Sequence, residues 1–82
     1  MSPEEIKKDI REYLISSIIK NESAKIENNT RLISDGFIDS ISTLKIVDHL
    51  EKKYGIDFQP HEVDKENLDS IDLIAQFVLS KK

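Results

Sequence analysis

The sequence contains no cysteine. That excludes a disulfide framework and a thiolate metal site, and it leaves apolar packing as the source of stability. No stretch approaches the roughly 20 consecutive apolar residues of a membrane-spanning helix. The opening MSPEEIKKDIREYL is charged throughout and lacks the apolar core of a signal peptide, so the chain reads as cytosolic. A basic excess is missing too. Twelve Lys and Arg stand against 16 Asp and Glu, a formal net charge of −4, with the two signs mixed along most of the chain. Domains that bind nucleic acid usually carry a basic excess or stripe, so no nucleic-acid partner is expected. A protein partner with a basic patch suits this balance better.

What remains is one expected domain of 82 residues with 38% hydrophobic content. A chain this short buries only about 60–65% of its unfolded surface, enough for a small helical core. Ser2, Pro3 and Glu5 form a helix start, with a capping serine, proline at the first helical position and a capping-box glutamate. Ile6, Ile10, Tyr13, Leu14 and Ile18 then recur at helical spacing, predicting a first helix from about Pro3 to Lys20. Residues 21–39 show no sustained period and form a long connection. Its Ile26, Leu32, Ile33, Phe37 and Ile38 are too apolar for a disordered linker, so they are expected to fasten it to the core.

Asp39 caps a second predicted helix from about Ser40 to Tyr54. Ile41, Leu44, Val47, Leu50 and Tyr54 form its stripe, Ile46 widens it, and Gly55 closes it. Ile56 and Phe58 alternate toward the core through an extended turn. Pro60 starts a short helix through about Lys65, with Val63 inward. Asp69 is expected to cap a last helix whose inner stripe is Ile71, Ile74, Ala75 and Val78, broadened by Leu73 and Phe77. The expectation is an all-α four-helix bundle, one helix short, with a long loop between helices one and two.

Several chemistries fail on spacing. Asp35-Gly36 suggests a calcium loop, but with Gly36 at the sixth position the first, third and twelfth are Arg31, Ile33 and Ser42, which are the wrong ligands. His49 and His61 have no third ligand. The triplet Asp-Ser-Ile occurs twice, at Asp39–Ile41 and Asp69–Ile71, each where a helix should begin. A nucleophilic serine needs a nearby base and an oxyanion site. His49 shares the helix of Ser40 but lies more than two turns away, and there is no Gly-x-Ser-x-Gly elbow. Neither serine makes this an enzyme. A serine can also be an attachment point. Ser40 is expected at the first helical position, facing solvent beside unpartnered amides, where an anionic phosphodiester gains about 0.3–1 kcal/mol from the helix dipole. Ser70 has the same local grammar, so physics at this level does not choose between the two.

LISDGFIDSISTLKIVDHLEKKYGIDF resembles the modification region of the acyl carrier and peptidyl carrier protein family. The shared pattern is a glycine loop, an Asp-Ser-Ile triplet, an amphipathic helix with an aromatic residue near its end, then an extended hydrophobic turn. Thr30-Arg31-Leu32 resembles the Thr-x-Leu element upstream, and ENLDSIDLIAQFV resembles the last helix. The resemblance implies a stand-alone carrier that does no bond chemistry itself. It implies that Ser40 receives 4′-phosphopantetheine, with Asp39 and Ile41 flanking it, and that Ser70 is only a structural cap. It implies a docking face of Asp35, Phe37, Asp39, Ile41, Leu44, Lys45, Asp48 and Glu51. The implied partners are a phosphopantetheinyl transferase, an acyl- or aminoacyl-loading ligase or transferase, and downstream synthase or transferase enzymes. The carrier is expected to be monomeric. The implied pathways are fatty-acid, polyketide, nonribosomal-peptide or related specialised synthesis; the Gly-Phe-Ile-Asp-Ser spacing also looks like carriers of D-alanyl transfer. One departure stands out. The family's second helix is commonly acidic, whereas here Lys45, Lys52 and Lys53 against Asp48 and Glu51 sum to +1. Specialised partners, or merely a solvated face, account for it equally. The alternative from another class is a small helical interaction domain with no prosthetic group.

Overall fold

The computed structural model describes residues 2–20 and 25–81. Every regular element among the described residues is helical: α1 (Pro3–Tyr13), a π-helical extension (Leu14–Ile19), α2 (Ser40–Tyr54), a 3₁₀ turn (Pro60–Glu62), α3 (Lys65–Leu68) and α4 (Ile71–Lys81). The all-α, four-helix expectation holds. Part of the long connection, residues 21–24, lies outside the described residues.

The ends of α1 and α2 follow from local chemistry. Ser2 Oγ accepts the Glu5 amide at 3.2 Å, and Pro3 opens α1. Asp39 Oδ1 accepts the Ser42 amide at 2.7 Å, capping α2. Gly55 terminates that helix at φ +66°, where a side chain would strain the backbone, and its amide returns to the Glu51 carbonyl.

The first helix was expected to run on as α-helix to Lys20. Instead it widens at Leu14, whose amide is shared between the Ile10 and Arg11 carbonyls. Ser16 Oγ bonds back to the Glu12 carbonyl at 2.7 Å, a contact that loosens a helical ladder, and Ile15, Ile18 and Ile19 crowd the turn with β-branched side chains. Lys20 then stops the helix at φ +56°. The short helix also starts later than expected. Pro60 opens only a 3₁₀ turn, and Asp64 caps α3 at the Asn67 amide.

The core joins Ile6 and Ile10 of α1 and Leu14 of its π-helical extension to Ile46 and Leu50 of α2, Leu68 of α3, and Ile71, Ile74, Ala75 and Val78 of α4. The inner stripe of α4 is as the spacing predicts. α1 packs on α4, with Lys7 paired to Asp72 at 3.1 Å across the seam. Phe58 stacks on Phe77 at 4.8 Å, so the extended turn after α2 is sealed against α4. Ile26, Leu32 and Ile38 of the connection are buried, as expected, and they bring the loop before α2 onto the core. No helix among the described residues is long and apolar enough to cross a membrane.

Candidate functional site

The two Asp-Ser-Ile copies differ by one residue in helical register. In the first, Asp39 is the cap and Ser40 is the first helical residue, exposed. In the second, Ser70 is the cap: Ser70 Oγ accepts the Leu73 amide at 3.1 Å, and α4 begins at Ile71. Asp69 therefore does not cap the last helix as expected. Its carboxylate turns to the loop before α2, where Oδ1 accepts the Ile33 and Ser34 amides at 2.8 and 2.9 Å and Oδ2 accepts the Ser34 hydroxyl at 2.8 Å. The register decides accessibility. Ser70 is 7% exposed and engaged, whereas Ser40 faces solvent.

Ser40 opens on a groove of about 460 Å³ between the start of α2 and the segment Val63–Lys65. Ile33, Ile38, Leu44 and Val63 give the groove its apolar walls, and Asp39, Asp64 and Lys65 its polar ones. The Ser42 amide, bonded to Asp39, holds that carboxyl below its ordinary 3.8, so Asp39 is an anion at neutral pH. Asp39 thereby caps the first turn of α2, whose leading amides have no carbonyl of a preceding turn to bond. This suits an anionic phosphodiester on Ser40: an exposed hydroxyl, outward amides, the positive end of the dipole, and a partly apolar groove for a flexible arm.

The stripe expected on α2 is divided. Val47, Leu50 and Tyr54 enter the core with Ile46 and Thr43, but Ile41 and Leu44 are 67% and 59% exposed. Phe37, expected to fasten the loop, is 43% exposed. The loop turns at Ile38, which takes the core position instead and leaves Phe37 at the tip. Phe37, Ile41 and Leu44 thus remain outside the core on the loop and first turns that carry Ser40. Asp35, Asp39, Lys45 and Asp48 are exposed as well. Glu51 is half-buried, and its carboxylate accepts the Phe58 amide at 2.9 Å.

The other polar cluster lies away from Ser40. Asp9 is half-buried and accepts Lys53 Nζ at 2.5 Å and the Tyr54 hydroxyl at 3.1 Å, with His49 Nε2 at 3.1 Å. His49 stacks on Tyr13 with ring centroids 4.0 Å apart. No local signal marks this cluster, because its members meet only when α1 and α2 pack. No group of three His, Asp or Glu fit to hold a metal occurs among the described residues.

The fold is a small helical bundle with an exposed serine at the start of α2. The sequence profile of the family described as "Phosphopantetheine attachment site" matches residues 9–78, and the chain belongs to that family. Its members are carriers rather than catalysts, and they bear a covalently attached 4′-phosphopantetheine. No curated protein matches the chain. Among solved structures, a chain described as "Crystal structure of FAD-dependent dehydrogenase" is similar, with a TM-score of 0.76 and 20% identity over 84% of this chain and 97% of that one. At that identity the likeness speaks for the fold.

Proposed function

We propose that this protein is a stand-alone cytoplasmic carrier of acyl or aminoacyl groups, with 4′-phosphopantetheine attached to Ser40. The observation that carries this reading is the unequal fate of the two triplets: Ser40 is exposed beside a groove, and Ser70 is buried as a cap. When attached, the arm supplies a terminal thiol that holds the cargo as a thioester. Ser40 offers the hydroxyl oxygen for the phosphodiester, the first turn of α2 offers amides to its anionic oxygens, and Ile33, Ile38, Leu44 and Val63 offer the arm an apolar wall.

Phe37, Ile41 and Leu44 supply apolar contact to the transferase and to the enzymes that load and unload the cargo, with Asp35, Asp39, Lys45, Asp48 and Glu51 around them. The charge of this face supports dedicated partners. Lys53 is bound by Asp9, Lys52 pairs with Asp48 at 3.1 Å, and Glu51 is engaged by its own chain. Lys45 is left without a carboxylate in ion-pairing range among the described residues. A partner carrying an acidic group opposite Lys45 fits better than one whose surface is purely basic. Rapid acylation and elongation by generic fatty-acid enzymes would count against dedicated partners.

The test of the attachment site is an intact mass after incubation with coenzyme A and a broad-specificity phosphopantetheinyl transferase. One arm should add to wild type and to Ser70→Ala, and none to Ser40→Ala. The product should react with thiol reagents, which the cysteine-free chain cannot do by itself. If folded wild type takes no arm, the chain is an interaction domain and Ser40 is an ordinary helix residue.

A further inference from the structure

Asp69 stands immediately before α4 yet contributes nothing to its cap, because Ser70 holds that position. Its amide closes α3 on the Lys65 carbonyl at 3.1 Å, and its oxygens go to three consecutive loop residues. The Leu32 amide donates to its main-chain carbonyl at 2.6 Å, and the Ile33 amide, Ser34 amide and Ser34 hydroxyl donate to its carboxylate. Partners 35 and 36 positions away in sequence meet here. The donors also hold the carboxyl in its charged form. Burial alone would raise Asp69, but the Ser34 amide and hydroxyl, the Ile33 amide and nearby Lys65 outweigh it and bring it below 3.8.

The loop it holds leads directly to Ser40. The Asp35 amide returns to the Arg31 carbonyl at 3.0 Å, the Gly36 amide to Ile33 at 3.2 Å, and the Ile38 amide to Leu32 at 3.0 Å. Leu32 and Ile38 are both buried, so the turn has two apolar anchors and one polar clamp. Only Asp39 separates Ile38 from Ser40. Phe37, 43% exposed, lies on the same turn one residue before the Ile38 anchor.

We propose that Asp69 is a positioning residue for modification at Ser40: its carboxylate clamps the turn at Ile33 and Ser34, and the turn sets where the Ser40 hydroxyl and Phe37 are presented to the transferase. The inference rests on Ser40 as the attachment site. The second Asp-Ser-Ile copy is thus not idle. Its serine caps α4 while its aspartate aligns the first copy. A transferase must meet the loop in one arrangement. Releasing the clamp lets the loop populate others, and apparent affinity falls by the fraction that remains competent.

The experiment measures transfer from coenzyme A on wild type, Asp69→Ala, Asp69→Asn and Ser34→Ala, with amide hydrogen exchange on each and Ser40→Ala as the blank. Asp69→Ala should raise KM roughly tenfold through the lost competent fraction, with kcat within about twofold. Its Ile33 and Ser34 amides should exchange faster, while those of Ile46 and Leu50 stay as protected as in wild type. Asp69→Asn keeps an oxygen for both amides and should recover most of the KM. Ser34→Ala, which loses only the hydroxyl bond, should fall between. A wild-type KM in Asp69→Ala overturns the proposal, as does unchanged exchange at Ile33 and Ser34. So does a KM rise accompanied by faster exchange at Ile46 and Leu50 in every variant, which would report general loosening. In each of those cases wild type is still modified and Ser40→Ala is not, so the attachment site stands. If wild type takes no arm, or Ser40→Ala takes one, both inferences fall.

Discussion

The Tyr54 hydroxyl donates to Asp9 Oδ2 at 3.1 Å and ties the end of α2 to the middle of α1. The same carboxylate takes Lys53 on its other oxygen and meets His49 beside Tyr54, so one side chain of α1 gathers three of α2. Burial alone would raise the Asp9 carboxyl, but bonds from Lys53, His49 and Tyr54 together hold it below 3.8. Its folded value is therefore below its unfolded one. The stability it contributes is present above pH 3.8 and is lost as pH falls through the folded value. Unfolding by urea at a series of acid pH values should show this loss in wild type and a flatter profile in Asp9→Asn. At neutral pH, Asp9→Ala should cost about 2 kcal/mol, since it strips the acceptor from three donors.

Tyr54 predicts the opposite limb. Burial first, then the Asp9 charge and hydrogen bond, push its hydroxyl up from 10.0 to about 12. A raised value means that the neutral form is favoured by folding. That contribution is complete below pH 10 and disappears as pH rises through about 12. Ultraviolet titration of Tyr54→Phe against wild type should assign the later phenolate to Tyr54. The Tyr54→Phe protein should lose less stability than wild type between these two values.

The two triplet serines should separate stability from modification. Ser70→Ala removes the oxygen that accepts the Leu73 amide and should cost about 1 kcal/mol by thermal or urea unfolding. It should still accept the phosphopantetheine arm. Ser40→Ala sits exposed behind an intact Asp39 cap, so its stability should stay within about 0.5 kcal/mol of wild type while modification vanishes.

α2 should divide in the same way between its buried and exposed faces. Leu50→Ala opens the core and should cost about 2–5 kcal/mol. Ile41→Ala and Leu44→Ala lose side chains that already face solvent, so each should change stability by less than about 0.5 kcal/mol. The same two variants should slow transfer by the modifying enzyme, measured as the rate of mass gain, because the apolar contact they remove lies beside Ser40.

Lys45→Glu tests the charge of the proposed docking face. It should leave stability nearly unchanged, since Lys45 has no ion-pair partner among the described residues. It should weaken loading by a dedicated partner enzyme and strengthen capture by a generic enzyme with a basic surface. An unchanged rate with both would leave these lysines as a solvated face.

The sequence by itself determined the helices and most of the core. Capping and packing repeats act within three or four residues, so Ser2, Asp39 and Gly55 mark ends, and Ile71, Ile74, Ala75 and Val78 mark a buried stripe without reference to the rest of the chain. The placement of Ser40 one residue past its cap was legible for the same reason. Tertiary structure alone decided the rest. Asp69 and Ser70 are both competent caps, and the loop at Ile33 and Ser34 claims the aspartate, leaving the serine to the helix. Ile41 and Leu44 fit the stripe of α2, but they stay exposed while Val47, Leu50 and Tyr54 of the same stripe enter the core. Asp9 shows no local sign of its role because its partners lie 40 to 45 residues away. Interactions between elements depend on where the elements meet, and periodicity within one helix carries no record of that.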